Sequence, residues 1–462
     1  MLFNSYVFIF CFLPAVLAGW WVLRATPARL TFLTLASYFF YGWWDWRFLP
    51  LMIASTTVDY IAGGKIAASE SPQVRKRWLV YSLSFNLAIL GFFKYYGFFA
   101  DSVDRVAGAM GATTLLPTLH LILPIGISFY TFNSMSYTID IYRGLVRPAK
   151  SALHFSAFVA LFPHLVAGPI VRYADIEDQF AALKTRLSST QAALGIYFFA
   201  IGLGKKMLIA DRLARPAAAF FDGPAQHGLL PACLGVLGYT FQLYFDFSGY
   251  SDMAVGLAHL LGIQFPQNFN SPYKAVNISD FWRRWHMSLS TWLRDYLFIP
   301  LGGSRGSLGR TALNLGITMF LGGLWHGANW TFVIWGLYHG VLLAAYFVAK
   351  RRGWVPGSAV VGRVITFVAV TLGWVFFRAE SLGRAVHIFG DLAGLHGLGS
   401  AQSFPLTFMV SLPAAAAIAF FCKNTWELEL EPRPRYAYAL AVMLVASVLL
   451  LGGASPFLYF QF

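Results

Sequence analysis

Leu324-Trp-His-Gly-Ala-Asn-Trp330 lies between two long apolar runs, Leu313–Trp325 and Thr331–Val348. A bilayer crossing takes about 20 predominantly apolar residues, so each run reads as a membrane helix and the block between them as a break. His326 ends the first run, and Gly327-Ala-Asn329 interrupts the helix before Trp330 restarts it. A break frees backbone amides and carbonyls, which is tolerable at membrane depth only beside protein or a wet cavity. Gly322 and Gly323 remove side chains one turn earlier and leave room for a slender ligand. An imidazole in such a place stays neutral and able to accept a proton. The plainer alternative is a histidine satisfied by a neighbouring helix.

Outward from this break the apolar pattern repeats along the chain. Expected spans are Phe3–Leu23, Leu30–Trp44, Phe48–Ala62, Trp78–Phe99 and His120–Tyr137, then Ala192–Ala210 and Leu230–Phe247. After the two runs already named come Val361–Phe377, Leu406–Cys422 and Ala437–Leu451. The expectation is an all-α polytopic membrane protein with about 11–12 transmembrane helices. Between His154 and Arg172 an apolar segment is interrupted by Pro163, Gly168 and Pro169, so a re-entrant or kinked helix is expected there. Ala181–Ser188 reads as a surface amphipathic piece. With no linker, low-complexity tract or internal repeat, residues 1–462 read as a single membrane-embedded domain whose catalytic core is about 242–340.

Composition agrees. A soluble protein is roughly a quarter charged and under half apolar; these 462 residues are 12% charged and 58% hydrophobic, with mean hydropathy +0.60. The alternating ten-residue segments of a β-barrel are absent. A net charge of +14 comes from basic residues in short loops, the pattern of positive-inside topology, which argues against nucleic acid as a partner. Cys11, Cys233 and Cys422 share no metal or redox spacing and read as packing residues. Val16-Leu-Ala18 resembles a signal-peptide cleavage site, but Met1–Ser5 carries no positive charge, so Phe3–Leu23 reads as a retained span.

Two further blocks carry chemistry. In Phe281-Trp-Arg-Arg-Trp-His286 and onward to Tyr296, Trp282, Trp285, His286, Leu289, Trp292, Leu293 and Tyr296 recur at helical spacing and form one apolar face. Ser279 is the expected N-cap. Arg283, Arg284 and Arg294 supply cations near it. The alternative to a cavity-lining helix is an interfacial one whose arginines touch phosphates of membrane lipids; ionisable residues at membrane depth favour the functional reading. In the other block, Gln242-Leu-Tyr-Phe-Asp-Phe-Ser-Gly-Tyr-Ser-Asp252, the carboxylates of Asp246 and Asp252 need partners if buried. Gln242, Tyr244 and Tyr250 can supply them. A cavity wall, or a clamp on histidine or arginine, is expected of these acids. Lys205 and Lys206, at the end of a span, are expected to snorkel to the interface. His339 lies inside Gly336-x-x-x-Gly340, where close helix packing is the main expectation.

Soluble-enzyme signatures fall away. Gly302-Gly-Ser304-Arg-Gly306 matches Gly-x-Ser-x-Gly but lacks the strand–turn–helix setting that motif needs. There is no phosphate-binding Gly-rich loop before a Lys-Ser/Thr pair and no His-Glu-x-x-His, so no metal site is expected.

At Phe281–His286 and Trp325-His326-Gly327 the sequence resembles the membrane-bound O-acyltransferase family. Leu123–Phe132, Phe162–Pro169, Gln242–Asp252 and Pro456–Phe462 extend the likeness to essentially the whole chain. The resemblance implies transmembrane, re-entrant and interfacial helices around a central funnel, and acyl transfer across a bacterial inner membrane. It implies acetyl-CoA as the cytoplasmic donor, with no bound cofactor, and an exopolysaccharide acceptor, alginate first among them. Peptidoglycan, cellulose or teichoic acid are the alternative acceptors. It also implies a periplasmic partner with a hydrolase-like fold that receives the acetyl group. His326 would then be the base or carry an acyl intermediate, and His286 would position the acyl group or polarise its carbonyl. Trp282, Trp285, Trp325, Tyr244, Gln242, Asp246 and Asn329 would line the cavity, and Arg283, Arg284 and Arg294 would hold donor phosphates by bidentate contacts. The competing class is a transporter, which would show paired repeats with matching breaks. None is visible in the sequence.

The basic loops set the orientation. Arg24 and Arg29 follow the first span, Lys65 to Arg77 the third, and Arg143 to Lys150 the fifth, while Trp43–Arg47 and Asp101–Arg105 carry acids. These loops are expected in the cytoplasm with Met1 outside. A cysteine introduced at position 72 should label only from the cytoplasmic side. Labelling restricted to the periplasm would reverse the topology.

Overall fold

The computed structural model describes residues 1–111, 116–117, 119, 121–223, 228–428, 433–453 and 457–458, and among them the regular structure is entirely helical. In chain order the helices are α1 (Leu13–Val22, entered through a π turn at Phe8–Phe12), α2 (Thr26–Asp45), α3 (Leu49–Ala68), α4 (Pro72–Leu90) and α5 (Tyr96–Ala109). There follow α6 (Ile127–Tyr142), α7 (Ala152–Val159), α8 (Phe162–Leu165), α9 (Tyr173–Ala181), α10 (Ser189–Gly204), α11 (Asp211–Asp222) and α12 (Leu229–Leu260). The last are α13 (Ile278–Trp282), α14 (Met287–Leu293), α15 (Leu308–His326), α16 (Trp330–Arg351), α17 (Ala359–Arg378), α18 (Leu382–Leu392), α19 (Leu406–Phe421) and α20 (Pro434–Leu449).

By length and composition, four helical stretches among the described residues can cross a membrane: Pro72–Ala109, Ser189–Asp222, Trp330–Arg351 and Ala359–Arg378. Shorter apolar helices are Phe8–Val22, Leu406–Phe421 and Pro434–Leu449. Proline opens α1, α2, α3, α4 and α20 within the first turn, where its missing N–H costs no intrahelical bond. The fifth expected span begins at Ile127; His120 lies outside the described residues. The segment 154–172 is broken as expected, into α7, α8 and irregular chain. Of Ala181–Ser188, expected as a surface amphipathic piece, only Ala181 is helical, as the last residue of α9.

The chain divides into two compact units: Met1–Phe199 with Met253–Pro266, and Ala200–Asp252 with Gln267–Phe462. In the first, the buried Asp59 carboxylate on α3 accepts from Ser82 Oγ (2.6 Å) and Asn86 Nδ2 (2.9 Å) on α4. Ser82 also reaches Thr138 on α6 at 3.1 Å. This network ties three helices through groups that lipid could not satisfy. Arg29 is buried rather than placed in a loop. Its guanidinium lies 4.0 Å from the Trp20 ring and donates to the carbonyls of Trp20 (3.1 Å) and Lys184 (2.7 Å). His164 is likewise structural, donating from Nε2 to the Phe158 carbonyl at 2.9 Å and accepting from Asn133 Nδ2 at 3.0 Å.

The second unit holds the recognisable motifs. α15 and α16 pack backbone to backbone: a Cβ on Gly323 would collide with the Phe332 carbonyl, and one on Gly336 with the Met319 carbonyl. That is the small-residue packing expected around Gly336 and Gly340. A π turn at Lys205–Ala210 joins α10 to α11. Adjacent side chains on a helix diverge by about 100°, so its two lysines reach different acids of α12. Lys206 Nζ lies 2.6 Å from Asp246 and 2.9 Å from Asp211. Lys205 Nζ lies 2.6 Å from Asp252 and 2.8 Å from Thr425 Oγ1.

The lysines therefore do not snorkel, and the acids clamp neither histidine nor arginine. Lys206 is 2% exposed and Asp246 1%. At that depth an ammonium without a carboxylate is far costlier than the bond strain of holding the pair together. Asp246 also accepts from the Leu458 amide at 2.9 Å, which anchors the C-terminal segment to α12. Lys206→Met leaves Asp246 and Asp211 facing each other unneutralised. It should lower stability by about 3–5 kcal/mol, read as a drop in the thermal midpoint of the detergent-solubilised protein. An unchanged midpoint would remove the pair from the fold's supports.

Candidate active site

His326 occupies the last position of α15. Gly327 turns the chain extended (φ −163°, ψ 152°), and the Asn329 side chain accepts from the Thr331 amide at 3.1 Å to start α16. The break expected at Gly327-Ala-Asn329 is therefore real, and a side-chain cap satisfies its far end. His326 is buried in aromatic walls, its ring centroid 5.0 Å from Trp325, 5.0 Å from Trp335 and 5.1 Å from Phe377. Directly beside it a cleft of about 310 Å³ is lined by Gly327, Asn329, Phe332, Phe377, Arg378 and Glu380, among others. Asn329 Nδ2 donates across this cleft to the Glu380 carbonyl at 3.2 Å.

The Phe281–Tyr296 block is not one helix. α13 ends at Trp282 and α14 begins at Met287, and between them His286 adopts a left-handed backbone (φ 43°, ψ 54°). The cause is tertiary. Residues 268–270 approach as an extended segment, with the Asn270 amide donating to the Arg284 carbonyl at 2.9 Å and the Met287 amide to the Asn268 carbonyl at 2.9 Å. These bonds replace the intrahelical ones that periodicity predicts. The N-cap of α13 is Asn277, which accepts from the Asp280 amide at 2.8 Å, and not Ser279.

The break turns His286 into the core. It is fully buried, its ring 4.7 Å from Phe247, 6.5 Å from Phe269 and 6.0 Å from Trp325. Trp325 thus touches both histidines, 5.0 Å from one and 6.0 Å from the other. His286 Nδ1 lies 3.2 Å from Asn268 Oδ1.

Trp282 and Trp285 join the same aromatic cluster. Trp285 packs 4.9 Å from Trp374, and Trp282 donates from Nε1 to His339 Nδ1 at 3.3 Å. An indole N–H only donates, so His339 carries its own proton on Nε2, beside Gly373. Tyr244 and Gln242 are buried on α12, Tyr244 within 5.3 Å of the Tyr273 ring. Asp246 belongs to the lysine pair described above. The three arginines lie apart from the buried rings: Arg283 is exposed, Arg284 pairs with Asp280 at 3.0 Å, and Arg294 with Asp295 at 2.7 Å. Sequence reading overlooked Asn268 and the partner of His339, and placed Lys205 and Lys206 at the interface instead of in buried ion pairs. Asn268 carried a signal, as an amide in the polar stretch before the tryptophan block.

A pair of imidazoles in an apolar box, one beside an open cleft, can move a proton at a substrate that enters the cleft. Residues 145–379 match the model of the membrane-bound O-acyltransferase family. The probable alginate O-acetylase of Azotobacter vinelandii is 45% identical, over 91% of this chain and 85% of its own length. The peptidoglycan O-acetyltransferase of Helicobacter pylori is 40% identical over 86% of this chain and 81% of its own. The teichoic acid D-alanyltransferase of Bacillus subtilis is 33% identical over 57% and 71%. The matched residues include His286, His326, both helix breaks and all of the cleft lining except Glu380. This chain is a multi-pass membrane acyltransferase and belongs to the membrane-bound O-acyltransferase family.

Proposed function

We propose that the chain moves acetyl groups from cytoplasmic acetyl-CoA across the bacterial inner membrane, for O-acetylation of an exopolysaccharide, alginate being the favoured acceptor. The observation that carries this reading is His326 at a helix break, walled by Trp325, Trp335 and Phe377, beside an open cleft. The alginate assignment draws support from the relative at 45% identity. Peptidoglycan is the second reading, on the strength of the Helicobacter pylori relative.

The reaction needs one proton moved. The acceptor hydroxyl loses its proton to the His326 imidazole as its oxygen attacks the thioester carbonyl. The C–S bond then breaks, and the proton passes to the departing thiolate, giving an acetyl ester and CoA–SH. Aromatic walls exclude water that would hydrolyse the thioester. His286, on the other side of Trp325, positions the acyl group. Arg283 and Arg294, both exposed, are the cations available for donor phosphates.

Orientation follows the basic loops. Lys350–Arg352 at the end of α16 takes the cytoplasmic side, and the His326 end of α15 the opposite one. The cleft holds about 310 Å³ between Phe332, Phe377 and the polar Asn329, Thr331, Arg378 and Glu380, room for an acetyl group but not for a length of sugar chain. The acetyl group is therefore handed to a periplasmic partner with a hydrolase-like fold.

His326→Ala should insert and fold normally yet lose acetyl transfer by roughly 10²–10⁴-fold, measured as polymer-bound acetate. Wild-type-like transfer by the inserted variant would sink the assignment. His339→Ala, which removes a hydrogen-bond acceptor for Trp282, should cost far less. Liposomes holding acetyl-CoA inside and polymer outside test the handover. The chain alone should leave the polymer unacetylated until the periplasmic partner is added, and efficient acetylation without the partner would refute it.

A further inference from the structure

Asn268 makes the polar contacts that orient His286. Its Oδ1 accepts from the Ser288 backbone amide at 3.2 Å and the Ser288 hydroxyl at 2.9 Å, and lies 3.2 Å from His286 Nδ1. A backbone N–H can only donate, so the atom it reaches is the amide oxygen and not the nitrogen. That oxygen can only accept. His286 Nδ1 must therefore carry the proton, and the lone pair of the neutral ring sits on Nε2. On the opposite side, Asn268 Nδ2 donates to Ser251 Oγ on α12 at 3.1 Å. Ser251 adjoins Asp252, which is itself held by Lys205 at 2.6 Å.

The backbone contributes as well. His286 is one of two non-glycine residues with positive φ among the described residues, a conformation that costs about 1–3 kcal/mol and persists only where the surroundings over-determine it. Here the surroundings are Asn268 again, whose carbonyl accepts from Met287 N at 2.9 Å. One residue thus sets the ring's rotation, its tautomer and the backbone that carries it. His339, in the same aromatic cluster, has the reverse tautomer, because Trp282 donates to its Nδ1.

We propose that Asn268 is a positioning residue for the acyl transfer, holding the Nδ1–H of His286 so that Nε2 meets the substrate as a hydrogen-bond acceptor. This rests on the reading above that His286 works at the transfer site. It also selects among the roles open to that residue. A neutral ring whose only N–H is committed to Asn268 cannot donate to the thioester carbonyl. It can only accept a hydrogen bond from an N–H or O–H of the bound substrate, while the reacting proton goes to His326 and from there to the departing thiolate. A structural asparagine would be indifferent to which nitrogen is bare; a positioning one is not.

The test compares Asn268→Leu, Asn268→Asp and His286→Ala with the wild-type full chain in membranes, together with its periplasmic partner. Leucine fills the same space without an acceptor, whereas aspartate keeps an oxygen for Nδ1–H and for Ser288. For the leucine variant, kcat should fall roughly 10–100-fold with KM for acetyl-CoA nearly unchanged, and the aspartate variant should recover most of that loss. Nitrogen-15 spectra of histidine-labelled wild-type protein, with the His286 signal assigned by its absence in His286→Ala, should show the proton on Nδ1. A folded leucine variant with wild-type kcat, or a wild-type spectrum with the proton on Nε2, overturns the proposal. If the leucine variant fails to fold, the spectrum and the aspartate variant decide, and an aspartate variant as inactive as His286→Ala counts against it. Full activity in His286→Ala would refute the site reading itself, and an inactive His286→Ala beside a fully active leucine variant would refute only the role of Asn268.

Discussion

Backbone amides and carbonyls in an apolar interior have to find partners, and the position of both histidines follows from how this chain supplies them. A straight helix satisfies itself and hides its histidines among its neighbours' side chains. Each of the two breaks needs outside donors and acceptors. At His326 they come from Asn329, which caps α16. At His286 they come from the extended segment 268–270, whose amides and carbonyls pair with residues 284 and 287. In both places the end of a helix, rather than a rotamer on its flank, decides where the imidazole points.

The buried charges hold the frame in register. Aromatic contacts around Trp282, Trp285, Trp335 and Trp374 are numerous, but each such pair adds only about 0.5–1.5 kcal/mol beyond its burial and tolerates tilt. An ammonium such as that of Lys206, 2.6 Å from a carboxylate that is 1% exposed, tolerates almost none. Displacing either partner costs several kcal/mol. The two lysines of the π turn therefore fix how α10 and α11 meet α12. Through Ser251, the neighbour of Asp252, the same frame reaches Asn268 and the ring of His286.

The chain's relatives carry the names of alginate, peptidoglycan and teichoic acid enzymes. That spread of acceptors suits the proposed division of labour. On the proposed reading, transfer of a small acyl group uses the buried imidazoles and their walls, whereas recognition of a polymer needs an extended polar groove. A cleft of about 310 Å³ has room for the first and not for the second.

Much was legible in the residues themselves. The membrane helices follow from apolar length, the break at Gly327 from glycine and the asparagine cap after it, and the close α15–α16 contact from the Gly336/Gly340 spacing. The family was readable at Trp325-His326-Gly327 and Phe281–His286. What periodicity could not foresee was the interruption of Phe281–Tyr296, because the bonds that break that helix come from residues 268–270. Nor could it pair Lys206 with Asp246, forty residues away, or bury Arg29 against Trp20. By itself the sequence determined where the long apolar helices run and which residue types are available for proton transfer, since both depend on neighbours along the chain. Only the tertiary structure decided which buried groups meet and which nitrogen of His286 carries the proton, since a hydrogen bond is settled by atoms within about 3 Å, wherever in the chain they originate.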